Sequence, residues 1–93
     1  MIDSMHGDII QWLRGFYYIA QTGSIRRAAE RMNRTPSTLS YGLKSLESEL
    51  ETVLFDRDGN RLKITPEGEK LMEWTISTFD TLKGMKAELS SKP

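Results

Sequence analysis

The chain has 93 residues, 38% of them hydrophobic and 28% charged, with 13 basic side chains balancing 13 acidic ones and no cysteine. This is the composition of one small globular domain with a single core, and it carries no disorder signature. It excludes disulfide frameworks and thiolate metal sites, fits a reducing cytosol, and contains no apolar run near the roughly 20 residues that span a bilayer.

The opening stretch MIDSMHGDII has acids and no basic segment, so no secretory signal is expected. His6 is the single histidine and reads as tail. One imidazole without a cysteine makes neither a typical transition-metal site nor a catalytic pair with an identifiable nucleophile. No metal and no cofactor is expected.

In GDIIQWLRGFYYIAQTG, Ile9, Trp12, Leu13, Phe16, Ile19 and Ala20 recur at three- and four-residue steps, which predicts a helix with one buried face. Asp8 is placed to cap its start and Gly23 to stop it. Gly15 inside it costs about 1 kcal/mol relative to alanine. A second, short helix follows in SIRRAAERMN, with Ser24 as N-cap and Ile25, Ala28, Ala29 and Met32 as its apolar face. The adjacent alanines mark a place where another helix approaches closely. Asn33 and Arg34 form a brief connection.

The third helix lies in RTPSTLSYGLKSLESEL, with Thr35 as N-cap and Pro36 at the first helical position, where a missing N–H is harmless. With Leu39 at zero on a helical wheel, Leu43, Leu46 and Leu50 fall within about 40° of it at ~100° per residue. Ser37, Tyr41, Lys44 and Ser48 fall opposite, Thr38, Ser40 and Ser45 flank that outer face, and Gly42 sits at the edge of the leucine stripe. Gly42 costs about 1 kcal/mol in mid-helix, which suggests either close helix packing or close approach to a ligand. The outer side thus carries small polar groups and a tyrosine in place of a Glu/Lys coat.

Next, VLFDRDGNRLKIT has a turn signal at Asp58-Gly59-Asn60 between two short runs, the second alternating Leu62 and Ile64 with Arg61, Lys63 and Thr65. It reads as a β-hairpin with arginines at its tip and on one face. Thr65-Pro66 opens a fourth helix by the same cap-plus-proline signal, running to about Ser90. Leu71, Thr75, Thr78, Leu82, Met85 and Leu89, with Trp74 and Phe79 beside them, form a heptad seam with polar interruptions. A helix this long outruns the globule beneath it, so much of its apolar face is left uncovered by its own chain. The terminal SSKP reads as a frayed end or a cut linker.

Helix, short helix, three-residue turn, helix, hairpin and long helix make a mainly α, winged helix-turn-helix arrangement. Zero net charge argues at first against nucleic acid, but the distribution does not: residues 24–46 hold Arg26, Arg27, Arg31, Arg34 and Lys44 against the single acid Glu30. Each of these arginines taken alone is an ordinary solvated charge; together they are an electrostatic footprint.

The stretch GSIRRAAERMNRTPSTLSYGLKSLESELETVLFDRDGNRLKITPEG resembles the N-terminal DNA-binding domain of LysR-type transcriptional regulators. The matching elements are Gly23-Ser24, Ala28-Ala29, Ser40, Leu46-Glu47, Leu54-Phe55 with Arg57, and Thr65 with Gly68, in the family's order over residues 12–71. The resemblance implies that helix three (about 36–50) is a recognition helix for the major groove, and that the hairpin is a wing for the minor groove. It also implies that the last helix is a linker pairing antiparallel with a second copy. The expected division is a winged helix-turn-helix domain over residues 1–65 and a linker and dimerisation helix over 66–93. Family members continue into a two-lobed effector-binding domain that nothing here forms, so the chain is expected to be an excised domain or a truncated relative. A small-molecule effector would act only through that missing domain.

On this reading the DNA-binding residues are Arg34, Pro36, Ser37, Thr38, Ser40, Tyr41, Lys44, Arg57 and Arg61. The hydroxyls of Ser37, Thr38 and Ser40 at a helix N-terminus suit phosphate oxygens; the plainer reading is that Thr35 and Ser37 compete to cap the helix. Tyr41 stands where the family commonly carries a longer polar or basic side chain. It can donate to a base edge or a phosphate, or lay its ring on a thymine methyl, but it offers no bidentate contact to guanine. Lys44 is a phosphate contact or an ordinary solvated lysine. Arg61 is the better candidate for the minor groove, where narrow grooves concentrate negative potential. Arg57 matches the family position but can serve structure, and Asp56 and Asp58 can tie both arginines into ion pairs. Glu47 reads as a structural carboxylate, since an acid facing phosphates would repel them. The dimer interface is expected from Leu71, Trp74, Thr75, Thr78, Phe79, Leu82, Met85 and Leu89.

The expected function is therefore a cytoplasmic, sequence-specific regulator that binds double-stranded DNA at an interrupted inverted repeat as a homodimer, with no membrane partner. A second reading is a winged-helix protein-interaction module that does not bind DNA, which zero net charge favours. Steep salt dependence separates the two. An enzyme is rejected, since the sequence offers no nucleophile–base pair and no convergent acids.

Overall fold

The computed structural model describes residues 8–91. His6 and the other residues before Asp8 lie outside the described residues, as do Lys92 and Pro93 of the terminal SSKP. The element order is α1 (Ile9–Thr22), α2 (Ile25–Met32), α3 (Pro36–Leu50), β1 (Phe55–Asp58), β2 (Arg61–Ile64) and α4 (Pro66–Ser90).

Local chemistry sets most of the boundaries. Ser24 caps α2 by accepting the Arg27 N–H at 3.1 Å, and Thr35 caps α3 by accepting the Thr38 N–H at 3.2 Å. Each of the first three helices closes on a left-handed residue: Gly23 (φ 70°), Asn33 (φ 56°) and Glu51 (φ 53°). Asp8 departs from expectation. It occupies the N-cap position of α1, but its side chain accepts no cap hydrogen bond.

Phe16 and Ile19 of α1, Ala28 and Ala29 of α2, Leu39, Leu43 and Leu46 of α3, and Leu54 and Phe55 leading into the hairpin form one buried core. The rings of Phe16 and Phe55 stand 5.5 Å apart, tilted by 47°. The leucine stripe of α3 is buried at three of its four positions. Leu50, the last helical residue, is 37% exposed, because the stripe continues one turn past the surface that α1 and α2 offer it.

The hairpin is antiparallel, with Phe55 opposite Ile64, Arg57 opposite Leu62 and Asp58 opposite Arg61. Gly59 supplies the positive φ (65°) in its two-residue turn. Asp58, read as part of that turn, belongs to β1.

Three side-chain and backbone bonds weld the hairpin base to the helices. The Glu47 carboxylate accepts the Leu54 N–H at 2.8 Å, which is the structural role expected of it. Thr65 donates its hydroxyl to the Val53 carbonyl at 2.7 Å and accepts the Gly68 N–H at 3.0 Å. Gly68 has no space for a side chain, since a Cβ there would lie 2.5 Å from the Leu54 carbonyl oxygen.

From this joint α4 runs 25 residues, about 37 Å at 1.5 Å per residue. Leu71 and Met72 pack against the core, Thr75 is buried, and the Arg14 guanidinium sits 5.2 Å over the Phe79 ring. Residues 80–90 are all exposed, and the helix makes the molecule 54 Å long against 30 and 22 Å in the other directions.

Candidate nucleic-acid interface

The turn between α2 and α3 and the first turns of α3 make one polar surface. Arg34, Pro36, Ser37, Thr38, Tyr41 and Lys44 are exposed on it and Ser40 is half-buried. Thr35, not Ser37, holds the cap. Its hydroxyl oxygen lies 2.8 Å from the Thr38 hydroxyl and 3.3 Å from that of Ser37, so the three hydroxyls gather at one helix end. With Pro36 lacking an N–H and that of Thr38 engaged, the Ser37 N–H is left without a partner among the described residues. One turn further on, Tyr41 stands 69% exposed. Lys44 is exposed beyond it and takes part in no ion pair among the described residues. The face opposite the buried leucines is thus made of hydroxyls, a phenol and one ammonium, without a carboxylate in its first two turns.

Gly42 is resolved by its surroundings. It is buried, and a Cβ on it would meet the Trp12 ring at 3.1 Å. Its smallness serves the packing of α3 on α1.

On the hairpin, both arginines are exposed and neither is tied to Asp56 or Asp58. The one ion pair among the described residues is Arg26–Glu30, at 3.3 Å on the surface of α2. Strand register separates the two arginines. Arg57 lies opposite Leu62, on the side of the ribbon that carries Phe55 and Ile64, whereas Arg61 lies opposite Asp58 and Lys63 opposite Asp56, on the other side.

A cleft of about 530 Å³ runs between the start of α2 and this second side of the ribbon, lined among others by Ser24, Arg26, Arg27, Asp58, Arg61 and Lys63. With Arg26 paired to Glu30, Arg27, Arg61 and Lys63 against the carboxylate of Asp58 make it an anion-attracting cleft. Arg27 and Lys63 are additions that sequence reasoning missed as candidate contacts. The available signals were the position of Arg27 in the first turn of α2 and the two-residue spacing of Lys63 from Arg61. The candidate residues therefore fall into two neighbourhoods, one around the start of α3 and one, containing Arg61, beside the start of α2, while Arg57 turns to the opposite side of the hairpin.

On α4 the expected contact set divides. Trp74 (60%), Leu82 (38%), Met85 (49%) and Leu89 (78%) are exposed, while Leu71, Thr78 and Phe79 are half-buried. Thr75 is 1% exposed, turned into its own chain, with its hydroxyl unpartnered among the described residues. It is therefore not part of any outward-facing seam. Ile76 is also exposed, at 48%, but lies on the side of α4 opposite Met85 and so outside that set. Among the described residues, no cluster of His, Asp or Glu could hold a metal ion, and no helix is long and apolar enough to cross a membrane.

The family model described as bacterial regulatory helix-turn-helix protein, lysR family, matches residues 10–69, which takes in α1, α2, α3, the hairpin and the joint to α4. The chain belongs to the LysR family. Among curated relatives it is 45% identical over 64 residues to the probable HTH-type transcriptional regulator YhaJ of Escherichia coli strain K12, covering 69% of this chain and 22% of YhaJ. The chain thus spans about a fifth of that relative's length. Among solved structures it superposes on the BenM DBD in complex with benA site 1 DNA with a TM-score of 0.82 at 26% identity, over 86% of this chain and 93% of that one. It superposes on a full-length OxyR variant from Pseudomonas aeruginosa with a TM-score of 0.83 at 29% identity, over 96% of this chain and 29% of that one. The order of helices, hairpin and long helix is that of a LysR winged helix-turn-helix domain.

Proposed function

We propose that this chain is the DNA-binding part of a cytoplasmic LysR-type regulator of transcription, and that it binds duplex DNA at an interrupted inverted repeat as a homodimer. The observation that carries the reading is the outer face of α3: Ser37, Tyr41 and Lys44 are exposed opposite the buried leucines, on a helix whose first two turns carry no acid. A face of that composition enters a major groove without repelling phosphate, and the cationic cleft beside α2 supplies further attraction. Membership of the LysR family and the likeness to the BenM DBD–DNA complex support it.

In this reading Ser37, Thr38, Ser40, Arg34 and the backbone at Pro36 hold the phosphates beside the groove. Tyr41 reads a base edge or a thymine methyl, and Lys44 neutralises a phosphate. Arg61 carries the wing into the minor groove, and Arg57 contributes from the other side of the ribbon. Residues 1–65 form the DNA-binding unit, and residues 66–93 the linker through which two copies pair, by way of Trp74, Leu82, Met85 and Leu89 with Leu71, Thr78 and Phe79 at the margin. A small-molecule effector would act through a domain outside this chain, and the role is regulatory, not catalytic.

Operator sequences selected from a random duplex pool provide the test. Tyr41→Ala and Arg61→Ala should each weaken operator binding about tenfold with the fold intact; unchanged affinity in both would remove the assigned face. Affinity should fall with salt with a log–log slope of about −0.9 per phosphate neutralised, whereas a flat response would favour a protein-binding winged helix. Sedimentation at micromolar concentration should show two chains, and a strict monomer with and without DNA would defeat the linker assignment.

A further inference from the structure

The packing of α1 on α3 is reciprocal. On α1, Trp12 and Gly15 are three residues apart; on α3, Leu39 and Gly42 are three residues apart, so each pair shares one helix face. Gly42 receives Trp12: a Cβ on Gly42 would lie 3.1 Å from the indole Cδ1 and 3.8 Å from both Cγ and Nε1. Gly15 receives Leu39, with 3.7 Å from its virtual Cβ to the leucine Cγ. A large residue on each helix therefore sits over a glycine on the other. The two contacts differ in tightness. The one at Gly15 is ordinary van der Waals contact and leaves room for a methyl, while at Gly42 a methyl fits only if the Trp12 ring gives way by a few tenths of an ångström.

Gly42 directly follows Tyr41, and Trp12, Thr38, Tyr41 and Arg34 line one groove of about 240 Å³ along α3. The indole thus bears on the backbone of α3 next to the side chain proposed to read bases. A helix resting on a single such contact can roll, and a roll of α3 carries Tyr41 along the groove floor. Two large-into-small contacts, one turn apart, fix both roll and slide. From this we infer that Trp12 is a positioning residue for DNA recognition. Pressed on Gly42, it sets the presentation of Tyr41, so part of the base preference of this chain is encoded in α1, outside the recognition helix. The inference rests on the DNA-binding reading above.

The test uses the 93-residue chain and the ratio of its affinity for its selected duplex to its affinity for random-sequence duplex. A variant that merely lost folded protein would lower both affinities together and leave the ratio unchanged. G42A should lower the ratio about tenfold, the loss of one base contact. Binding to random duplex, which is governed by phosphates, should stay within about twofold. G15A, where a methyl fits, should keep the wild-type ratio. W12L should also lower the ratio, and W12L/G42A, in which the new methyl no longer meets a ring, should lower it little further than W12L alone, since both changes act on one contact. W12L adds no atom to α3, so it decides the matter if G42A fails to fold. Wild-type ratios in both G42A and W12L overturn the inference while the DNA reading stands. A wild-type chain that binds no duplex overturns the DNA reading, and the positioning role falls with it.

Discussion

α3 and α4 both start on Thr-Pro, at Thr35-Pro36 and Thr65-Pro66, and in both the threonine caps the helix by accepting an N–H three residues on. Their surroundings are opposite. Thr35 is exposed, and its hydroxyl shares the helix end with those of Ser37 and Thr38. Thr65 is 6% exposed, its hydroxyl donating to the Val53 carbonyl while the Gly68 N–H donates to it. One start is a surface and the other is a joint. The same local chemistry begins both helices, and what lies beside the cap decides whether its polar groups face a ligand or hold the hairpin to the helix.

Substitutions can break this contrast, and the largest effect is expected at the joint. Gly68→Ala drives a methyl against the Leu54 carbonyl and the Ile64 side chain, neither of which is a free end. It should cost about 3 kcal/mol in urea unfolding. A loss below about 1 kcal/mol would mean that the hairpin base yields, and that the joint is looser than its hydrogen bonds imply.

Thr65→Val keeps the shape and removes the cap together with the bond to Val53, and should cost about 2 kcal/mol. Thr35→Val removes a solvent-facing cap and should cost about 1 kcal/mol or less, measured in the same way. Equal losses at the two threonines would erase the distinction. Sharpening it from the other side, Thr35→Val should weaken operator binding, whereas Thr65→Val at temperatures where it stays folded should not.

The smallest stability effect is expected on the outer face of α3 itself. Lys44→Ala should change stability by less than about 0.5 kcal/mol and should make the salt slope of DNA binding shallower by about 0.9. A stability loss with an unchanged slope would make Lys44 a structural residue.

The terminal halves of α3 and α4 carry the same lesson for apolar positions. Spacing identified Leu39, Leu43, Leu46 and Leu50 as one stripe and Leu71 to Leu89 as another, and both stripes are real faces. That α4 outruns its cover follows from its length, but the residue at which each stripe emerges was not legible. Leu50 emerges from the core, and the α4 seam splits into an inward part at Leu71 and Thr75 and an outward part at Trp74, Leu82, Met85 and Leu89. Periodicity states which residues share a side, but the extent of the opposing surface depends on how far the other elements reach. The same limit applies to the candidate site. The polar start of α3 could be read because cap, proline and leucine spacing orient the helix about its own axis. The meeting of Arg27 with Arg61 and Lys63 joins residues more than thirty positions apart, which no local pattern reports.

By itself the sequence determined the element order, the caps at Ser24, Thr35 and Thr65, the stop at Gly23, the hairpin turn and the family. Each of these is written in residues whose backbone preferences or hydrogen-bonding groups act within about four positions. The tertiary structure alone decided that Gly42 makes room for Trp12 and that Arg27 shares a cleft with Arg61 and Lys63. It also turned Thr75 inward. These outcomes depend on contacts between distant segments, where packing outweighs the fraction of a kcal/mol that separates one residue's local preference from another's.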